Sequence, residues 1–137
     1  MIATYQFRVY YVDTDASGIL YHANYLSYAE RARSEWFNEN NMPVTKLLER
    51  GDAFVVCRAE VEYKHPAPLN ALVKVETCVK EVKAASCLSE QKFYIDDKLV
   101  AIVRIEAVSV DTTTLRPKRI PTDIRALYKK YMQEEEK

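Results

Sequence analysis

The sequence predicts an α+β protein in which one long helix packs against an antiparallel sheet of about five strands. Three observations lead to this prediction: one long segment with the helical period, several segments in which apolar and polar residues alternate, and short turn-like breaks between them. The predicted order is a strand, a helix and then four strands, which is not the order of a doubly wound parallel sheet. The chain has 137 residues, and we expect residues 1–137 to form a single domain.

The first half of the chain changes from a strand to a helix. Residues 4–11 are aromatic and β-branched and predict the first strand, whereas residues 12–20 collect Asp, Thr, Ser and Gly and predict a loop. Apolar and small residues then recur every three or four positions, which predicts a helix over roughly 23–39 with a wide apolar face. An Asn-Asn pair and a proline end this helix at 40–43, and a short helical turn leads to Gly51.

The second half alternates between strands and turns. The turns are expected at His65–Pro68, Lys83–Ala85 and Asp96–Asp97. Period-two alternation predicts strands over 54–64, 71–80, 87–95 and 99–110. In the first of these strands, the residues predicted to share the buried face are Val55, Cys57, Ala59, Val61 and Tyr63.

The C-terminal residues 121–137 have helical spacing behind a Pro-Thr start, and we expect this helix to dock on the sheet. Its last residues are rich in Glu, where the helix dipole favours cations, so we expect them to fray.

Composition and charge exclude several classes of protein. Twenty Lys and Arg balance 20 Asp and Glu, so no overall charge attracts nucleic acid. Cys57, Cys78 and Cys87 form no C-x-x-C pair and lie in strand-like contexts, so we expect buried, reduced thiols. The sequence contains no run of about 18 apolar residues, the length that would predict a transmembrane segment, and no signal sequence is recognisable. We therefore expect a cytoplasmic protein.

The sequence lacks the motifs of most cofactor sites. There are two His residues, His22 and His65, and no set of ligands at metal-binding spacing, so we expect no metal. The glycine-rich phosphate-binding loops, the G-x-S-x-G elbow and the C-x-x-C motif are absent, which disfavours nucleotide, serine-hydrolase and redox chemistry.

The segment from Asp13 to Tyr25 concentrates the residues that could carry chemistry. Two carboxylates, a glycine and a histidine precede the first turn of the long helix, whose unpaired amides favour an anion or an oxyanion. A carboxylate beside such donors is a hydrolytic arrangement, because the amides polarise a carbonyl while the acid attacks it or activates water. The same residue types are also typical of Asx turns, helix caps and local hydrogen bonds, so the residues alone leave both interpretations open.

The run RVYYVDTDASGILYHANYLSYAERARSEWF over residues 8–37 resembles the start of the hotdog-fold acyl-CoA thioesterases. The similarity is to the branch of 4-hydroxybenzoyl-CoA thioesterase and the Tol-Pal-associated thioesterases, and it rests on the spacing D-x-D-x-x-G-x-x-Y-H-x-N-Y followed by the ERAR helix. The resemblance implies a long helix wrapped by an antiparallel sheet. It also implies a homodimer, or a homotetramer of dimers, with active sites at the interface between protomers.

The resemblance also implies roles for individual residues. The catalytic carboxylate falls on Asp15, three residues before Gly18, and acts as nucleophile or general base. The amide that holds the thioester oxygen falls near His22, whose side chain is a candidate auxiliary group. Tyr21 stands where the 4-hydroxybenzoyl-CoA enzyme has an aromatic residue, but the Tyr-His pair follows the Tol-Pal-associated branch, which argues against 4-hydroxybenzoyl-CoA as the substrate.

The implied substrate is an acyl-CoA, or an acyl thioester of acyl carrier protein, and coenzyme A is then part of the substrate rather than a cofactor. Its phosphates require cations at loop ends. The cations that we predict for this role, which are also typical of ordinary surface charge, are Lys80, Lys83, Arg116, Lys118 and Arg119.

Two other functions fit a hotdog protein. A hydroxyacyl dehydratase would use His22 as base and Glu30 or Glu35 as acid, but the Pro and Gly that accompany its histidine are missing here. A non-catalytic scaffold that binds acyl carriers would have no need of Asp15.

Overall fold

The computed structural model describes residues 1–132 as strands and helices around one sheet. Their order is β1 (Ala3–Arg8), α1 (Asn24–Glu39), α2 (Val44–Glu49), β2 (Asp52–Tyr63), β3 (Leu72–Val82), β4 (Ser86–Ile95), β5 (Lys98–Asp111) and α3 (Thr122–Lys130). The five strands pair antiparallel in the order β1-β3-β4-β5-β2. The predicted α+β architecture is confirmed.

Helix α1 lies against the sheet through a broad buried face. Small residues on this face, Ala29 and Ala32, let the helix approach the strands closely, and the Tyr28 ring stacks on Phe7 of β1 with centroids 3.7 Å apart. Helix α1 and four strands thus enclose one apolar cluster. The wide apolar face predicted from the sequence is the face that the sheet covers.

Helix α3 closes the other end of the core. Ile124, Leu127 and Tyr128 are buried, and they pack with Trp36 and Phe37 from the end of α1 in a second apolar cluster. The prediction that this helix docks on the rest of the fold is confirmed for residues 122–130. The Glu-rich end that we expected to fray lies outside the described residues.

The first strand is shorter than predicted. It ends at Arg8, and residues 11–13 form a single 3₁₀ turn rather than a continuation of the strand. The physical reason is local, because the carboxylate of Asp13 accepts a 3.0 Å hydrogen bond from the backbone N–H of Tyr10 and draws the chain out of the sheet.

A β-bulge changes which face of β2 is buried. The pairing of β2 with β5 shifts register between Val56 and Arg58, so Cys57 is an extra residue. As a result Val56, rather than Val55, lies on the same side as Ala59, and both line one cavity. The predicted shared face of Val55 and Ala59 is therefore wrong, and so is the expected burial of Cys57, which is exposed.

Strand β2 is an edge of the sheet and carries exposed apolar side chains. Its outer edge has no neighbouring strand among the described residues, and Val55, Val56 and Tyr63 are each about half exposed. Unpaired edges with apolar residues are sites of association in soluble proteins.

Candidate active site

The loop before α1 closes into a small hairpin. Thr14 pairs with Leu20, and the N–H of Asp15 donates a 3.0 Å hydrogen bond to the carbonyl of Ile19. The turn is completed by the N–H of Gly18, which donates to the carbonyl of Asp15 at 3.1 Å. Gly18 has φ +76°, a conformation that favours glycine, so its role at this position is to form the turn that presents Asp15.

A second loop, which contains Ala67 and Leu69, forms hydrogen bonds with this hairpin. The N–H of Leu20 donates to the carbonyl of Ala67 at 2.8 Å, and the N–H of Leu69 donates to the carbonyl of Gly18 at 3.0 Å. The Pro-rich turn predicted around His65–Pro68 therefore holds the site loop in place.

The carboxylate of Asp13 is committed to internal hydrogen bonds. Its Oδ2 accepts from the hydroxyl of Tyr28 at 2.8 Å and from the N–H of Tyr10. The backbone carbonyl of Asp13 accepts two further hydrogen bonds, from the side chain of Asn24 at 3.0 Å and from the N–H of Tyr21 at 2.9 Å. Asp13 thus joins the loop to the start of α1.

Asp15 is the carboxylate that remains available. Its side chain is half-buried, and Oδ1 accepts a 2.8 Å hydrogen bond from the N–H of Ser17, which is an Asx turn. Oδ2 has no hydrogen-bond partner within residues 1–132. The turn orients the carboxylate and leaves one oxygen free to accept a proton or attack a carbonyl.

Two amides at the start of α1 are free to bind an oxyanion. The N–H of Tyr21 is occupied by Asp13, and the N–H of Asn24 donates to the carbonyl of Tyr21 at 2.9 Å. In the described part of the chain, the N–H groups of His22 and Ala23 have no partner. They lie at the positive end of the helix dipole, where a negatively charged oxygen is stabilised.

Tyr63, at the end of β2, fixes the position of His22. Its hydroxyl donates a 2.8 Å hydrogen bond to the carbonyl of His22, and the two rings meet edge to face at 6.4 Å. Tyr21 and His22 are exposed and their rings are 4.5 Å apart. The sequence predicted Tyr63 as an inward-facing strand residue. Its contact with His22 joins residues that are 41 positions apart in the chain, so it is visible only in the structure.

A cavity of about 410 Å³ runs along α1 from Leu26, one helical turn after His22. Its walls are largely apolar and come from α1, α2, β2 and β5. Glu30 and Arg33 are the charged residues of α1 that line it. Burial lowers the pKa of Arg33, an effect that the nearby charge of Glu30 opposes. Glu35, on the opposite side of the helix, is exposed and does not line this cavity.

Four of the five predicted phosphate-binding cations lie at the far end of the sheet from Asp15. Lys118 bonds to Gly51 and pairs with Asp52, at the start of β2, whereas His22 contacts Tyr63 at its end. Strand β2 has 12 residues, so these ends are roughly 36 Å apart at about 3.3 Å per residue. Lys83, Arg116 and Arg119 lie at the same end as Lys118, whereas Lys80 lies level with the middle of β2.

Two of the five cations already have partners. The ammonium group of Lys118 contacts the buried carboxylate of Asp52, and Lys80 lies 3.8 Å from Glu90 on the outer face of the sheet. Arg116 and Arg119 are exposed. Within one protomer, none of the five is brought to the Asp15 loop.

Within residues 1–132, no three His, Cys, Asp or Glu side chains are grouped as metal ligands. In the same part of the chain, no helix has the length and apolar character needed to cross a membrane.

Residues 9–127 match the family model described as the thioesterase-like superfamily. The acyl-CoA thioesterase YbgC of Haemophilus influenzae is 38% identical over 122 residues, which cover 88% of this chain and 90% of that protein. The crystal structure of a probable thioesterase from Bartonella henselae is 29% identical, covers 88% of this chain and 100% of that one, and has a TM-score of 0.83. A hypothetical protein from Aquifex aeolicus is 26% identical, covers 91% of this chain and 98% of that one, and has a TM-score of 0.87.

Proposed function

This chain belongs to the thioesterase-like superfamily, and from that premise we propose that it hydrolyses acyl-CoA thioesters with Asp15 as the catalytic carboxylate. It has the hotdog fold of that family and is an acyl-CoA thioester hydrolase. The identity of the acyl carrier, coenzyme A or acyl carrier protein, is tested by comparing the two thioesters of one acyl group.

The observation that carries this proposal is the difference in hydrogen bonding between the two carboxylates. Asp13 accepts hydrogen bonds from Tyr28 and Tyr10, whereas Asp15 keeps a free oxygen in the loop that leads to the unpaired amides of His22 and Ala23. A thioester carbonyl is electrophilic and a thiolate leaves readily, so one carboxylate and one or two amide donors suffice for its hydrolysis.

Two reaction courses use the same residues. In the first, Asp15 takes a proton from water as the water oxygen attacks the thioester carbonyl. The N–H of His22 stabilises the oxyanion, and collapse expels the thiolate, which takes up the proton. In the second, a carboxylate oxygen of Asp15 attacks directly, the thiolate leaves, and water hydrolyses the mixed anhydride. Both give a free acid and a thiol.

Single-turnover hydrolysis in ¹⁸O-labelled water distinguishes the two courses. Attack by Asp15 forms an anhydride, and opening of that anhydride at the aspartyl carbonyl leaves ¹⁸O in the side chain of Asp15. Direct attack by water places the label in the acid product alone, as does opening of the anhydride at the acyl carbonyl, so ¹⁸O in Asp15 is the result that identifies the anhydride course. Mass spectrometry of the peptide that contains Asp15 measures the difference.

We propose that two copies pair through the free edge of β2. A two-fold axis at Ala59 would set Arg58 opposite the partner's Glu60, and the reverse, so opposite charges face each other twice. This antiparallel pairing would bring the start of the partner's β2 beside Tyr63 and His22. The test is the mass in solution, expected at twice or four times 15.9 kDa.

The same dimer gives the predicted cations a position from which to act. Within one protomer four of the five lie at the opposite end of β2 from Asp15. Across the proposed two-fold axis, Arg116 and Arg119 of the partner subunit would approach the loop that carries Asp15. The exposed pair is thus proposed to bind coenzyme A phosphates for the partner's site.

A cytoplasmic location suits the free thiols of Cys57, Cys78 and Cys87.

A further inference from the structure

The cavity along α1 begins at Leu26, one helical turn after His22, and extends past Arg33 to Phe37. Strand β2 supplies part of its walls, and Tyr63 at the end of β2 contacts His22, two residues before α1. Between these ends the walls are apolar, with Leu26, Val56 and Ala59 among them. A chain of methylene groups would be buried favourably along such walls.

Arg33 lines the cavity two helical turns after Leu26, and its side chain has few hydrogen-bond partners. It is largely buried, and NH1 donates a 2.9 Å hydrogen bond to the side-chain oxygen of Gln91, a neutral group. In the described part of the chain, no carboxylate lies within 4.0 Å of its guanidinium group. A guanidinium group has five N–H donors, so most of its hydrogen-bonding capacity is unused. A buried charge without a counterion is unfavourable, and an anionic ligand would remove that penalty.

A smaller cavity of about 60 Å³ adjoins the same arginine. Arg33, Phe37 and Phe54 line both cavities, so the two cavities are adjacent. Trp36 and Tyr128 also line the smaller one, and the buried indole N–H of Trp36 has no hydrogen-bond partner. This end of the cavity is therefore rich in hydrogen-bond donors.

The other charged groups that line the large cavity do not neutralise Arg33. Glu30 is exposed, so solvent screens its charge. The carboxylate of Asp52 already pairs with Arg50 at 2.8 Å and with Lys118.

We propose that this cavity holds the acyl group of the substrate and that Arg33 binds a carboxylate at its distal end, so that the preferred substrates are ω-carboxyacyl thioesters. This inference rests on the proposed thioesterase function and adds the class of acyl group. The spacing is compatible with a medium-length chain. His22 and Arg33 are 11 residues apart, or roughly 16 Å along a helix, and helical side chains point towards the N-terminus, which shortens the gap.

The experiment compares acyl-CoA pairs that differ only at the distal end: hexanoyl-CoA with adipoyl-CoA, and octanoyl-CoA with suberoyl-CoA. For the wild-type protein we expect kcat/KM to be higher for the carboxylate of at least one pair by about tenfold, the factor expected for a charge-assisted hydrogen bond. Arg33→Met should abolish this ratio, because it removes the group proposed to bind the distal carboxylate. Arg31→Met is the matched control, since Arg31 is exposed on the same helix, and it should keep the ratio.

A wild-type preference for the methyl-terminated member of both pairs would overturn the inference, as would an unchanged ratio in folded Arg33→Met. If that variant fails to fold, the wild-type ratio alone decides. If the wild type hydrolyses none of the four thioesters, the proposed function fails instead. The ratio of dissociation constants for the same pairs, measured by calorimetry, then tests the recognition of the carboxylate separately.

Discussion

The hydroxyl of Tyr28 donates a 2.8 Å hydrogen bond to the carboxylate of Asp13. The Tyr28 ring is itself fixed, because it is buried and stacks on Phe7 at 3.7 Å. Asp13 is therefore anchored to the core of the protein. The neighbouring carboxylate of Asp15 is free of such contacts, and the chemical proposal depends on this difference.

Replacement of the two carboxylates should have different effects. Asp15→Asn should lower kcat by at least about 100-fold and leave folding intact, because it removes the acid or nucleophile without changing the shape of the side chain. Asp13→Asn is the matched control. It should cost about 1–3 kcal/mol of unfolding free energy through the weakened contact with Tyr28, with a smaller loss of kcat. Steady-state kinetics and urea denaturation measure both, and comparable kcat in Asp15→Asn and the wild type would contradict the assignment.

The hydrogen bond from Tyr63 to the carbonyl of His22 should matter for turnover. Tyr63→Phe keeps the ring beside His22 but releases the backbone at the proposed oxyanion site, so we expect kcat to fall several-fold with little change in KM. Tyr94→Phe is the control, because Tyr94 lies in β4 and its hydroxyl forms no hydrogen bond within residues 1–132. It should leave both constants unchanged. Equal kcat values in Tyr63→Phe and the wild type would show that this contact does not position the amide.

The fold could be predicted from hydrophobic periodicity because the sheet buries one face of α1 and alternate residues of β3. The bulge in β2 could not, since one extra residue at Cys57 leaves the residue types unchanged while it moves Val56 to the face of Ala59. The early end of β1 escaped prediction because a tertiary contact and a local hydrogen bond of Asp13 decide it.

The residues alone predicted the candidate site as a segment, and the resemblance placed the catalytic carboxylate at Asp15; the structure adds the hydrogen-bond partners of each aspartate. Two aspartates two residues apart are chemically equivalent in the sequence, and the contact of Asp13 with Tyr28 separates them. Tyr63 is distant in sequence and its contact with His22 could not be foreseen. The cationic residues were chosen because they lie near turns, but the sequence does not indicate at which end of the sheet each turn lies.

Alkaline pH should destabilise the protein through two buried tyrosines. Burial raises the pKa of Tyr25 and of Tyr28 from 10.0 to about 12. The unfolded chain releases these protons near pH 10 and the folded chain retains them, so the free energy of unfolding falls as the pH rises from about 10 to about 12. Tyr28→Phe should reduce this slope. Urea denaturation across that range measures it, and identical slopes in the variant and the wild type would contradict the prediction.

Charge reversal in β2 tests the proposed dimer. Arg58→Glu would set two carboxylates opposite each other at both symmetry-related positions, and we expect the dissociation constant to rise at least about tenfold. The double variant Arg58→Glu with Glu60→Arg restores opposite charges and should restore association. Sedimentation equilibrium measures both. A single variant that associates as tightly as the wild type, or a double variant that stays dissociated, would argue against an axis at Ala59.

Replacing the cations at the end of the sheet should have two different effects: loss of Arg116 and Arg119 should weaken substrate binding, and loss of Lys118 should lower stability. Arg116 and Arg119 are exposed, so replacing both with Ala should raise KM for an acyl-CoA several-fold with little change in kcat, because phosphate contacts bind ground and transition states alike. The effect should shrink with added salt, since exposed charges are screened beyond about 10 Å at 0.1 M. Lys118→Ala is the structural comparison. It removes a partner of the buried Asp52 and should lower stability rather than raise KM. An unchanged KM in the double variant at low ionic strength would place the phosphates elsewhere, and Lys80 with Lys83 would be tested next.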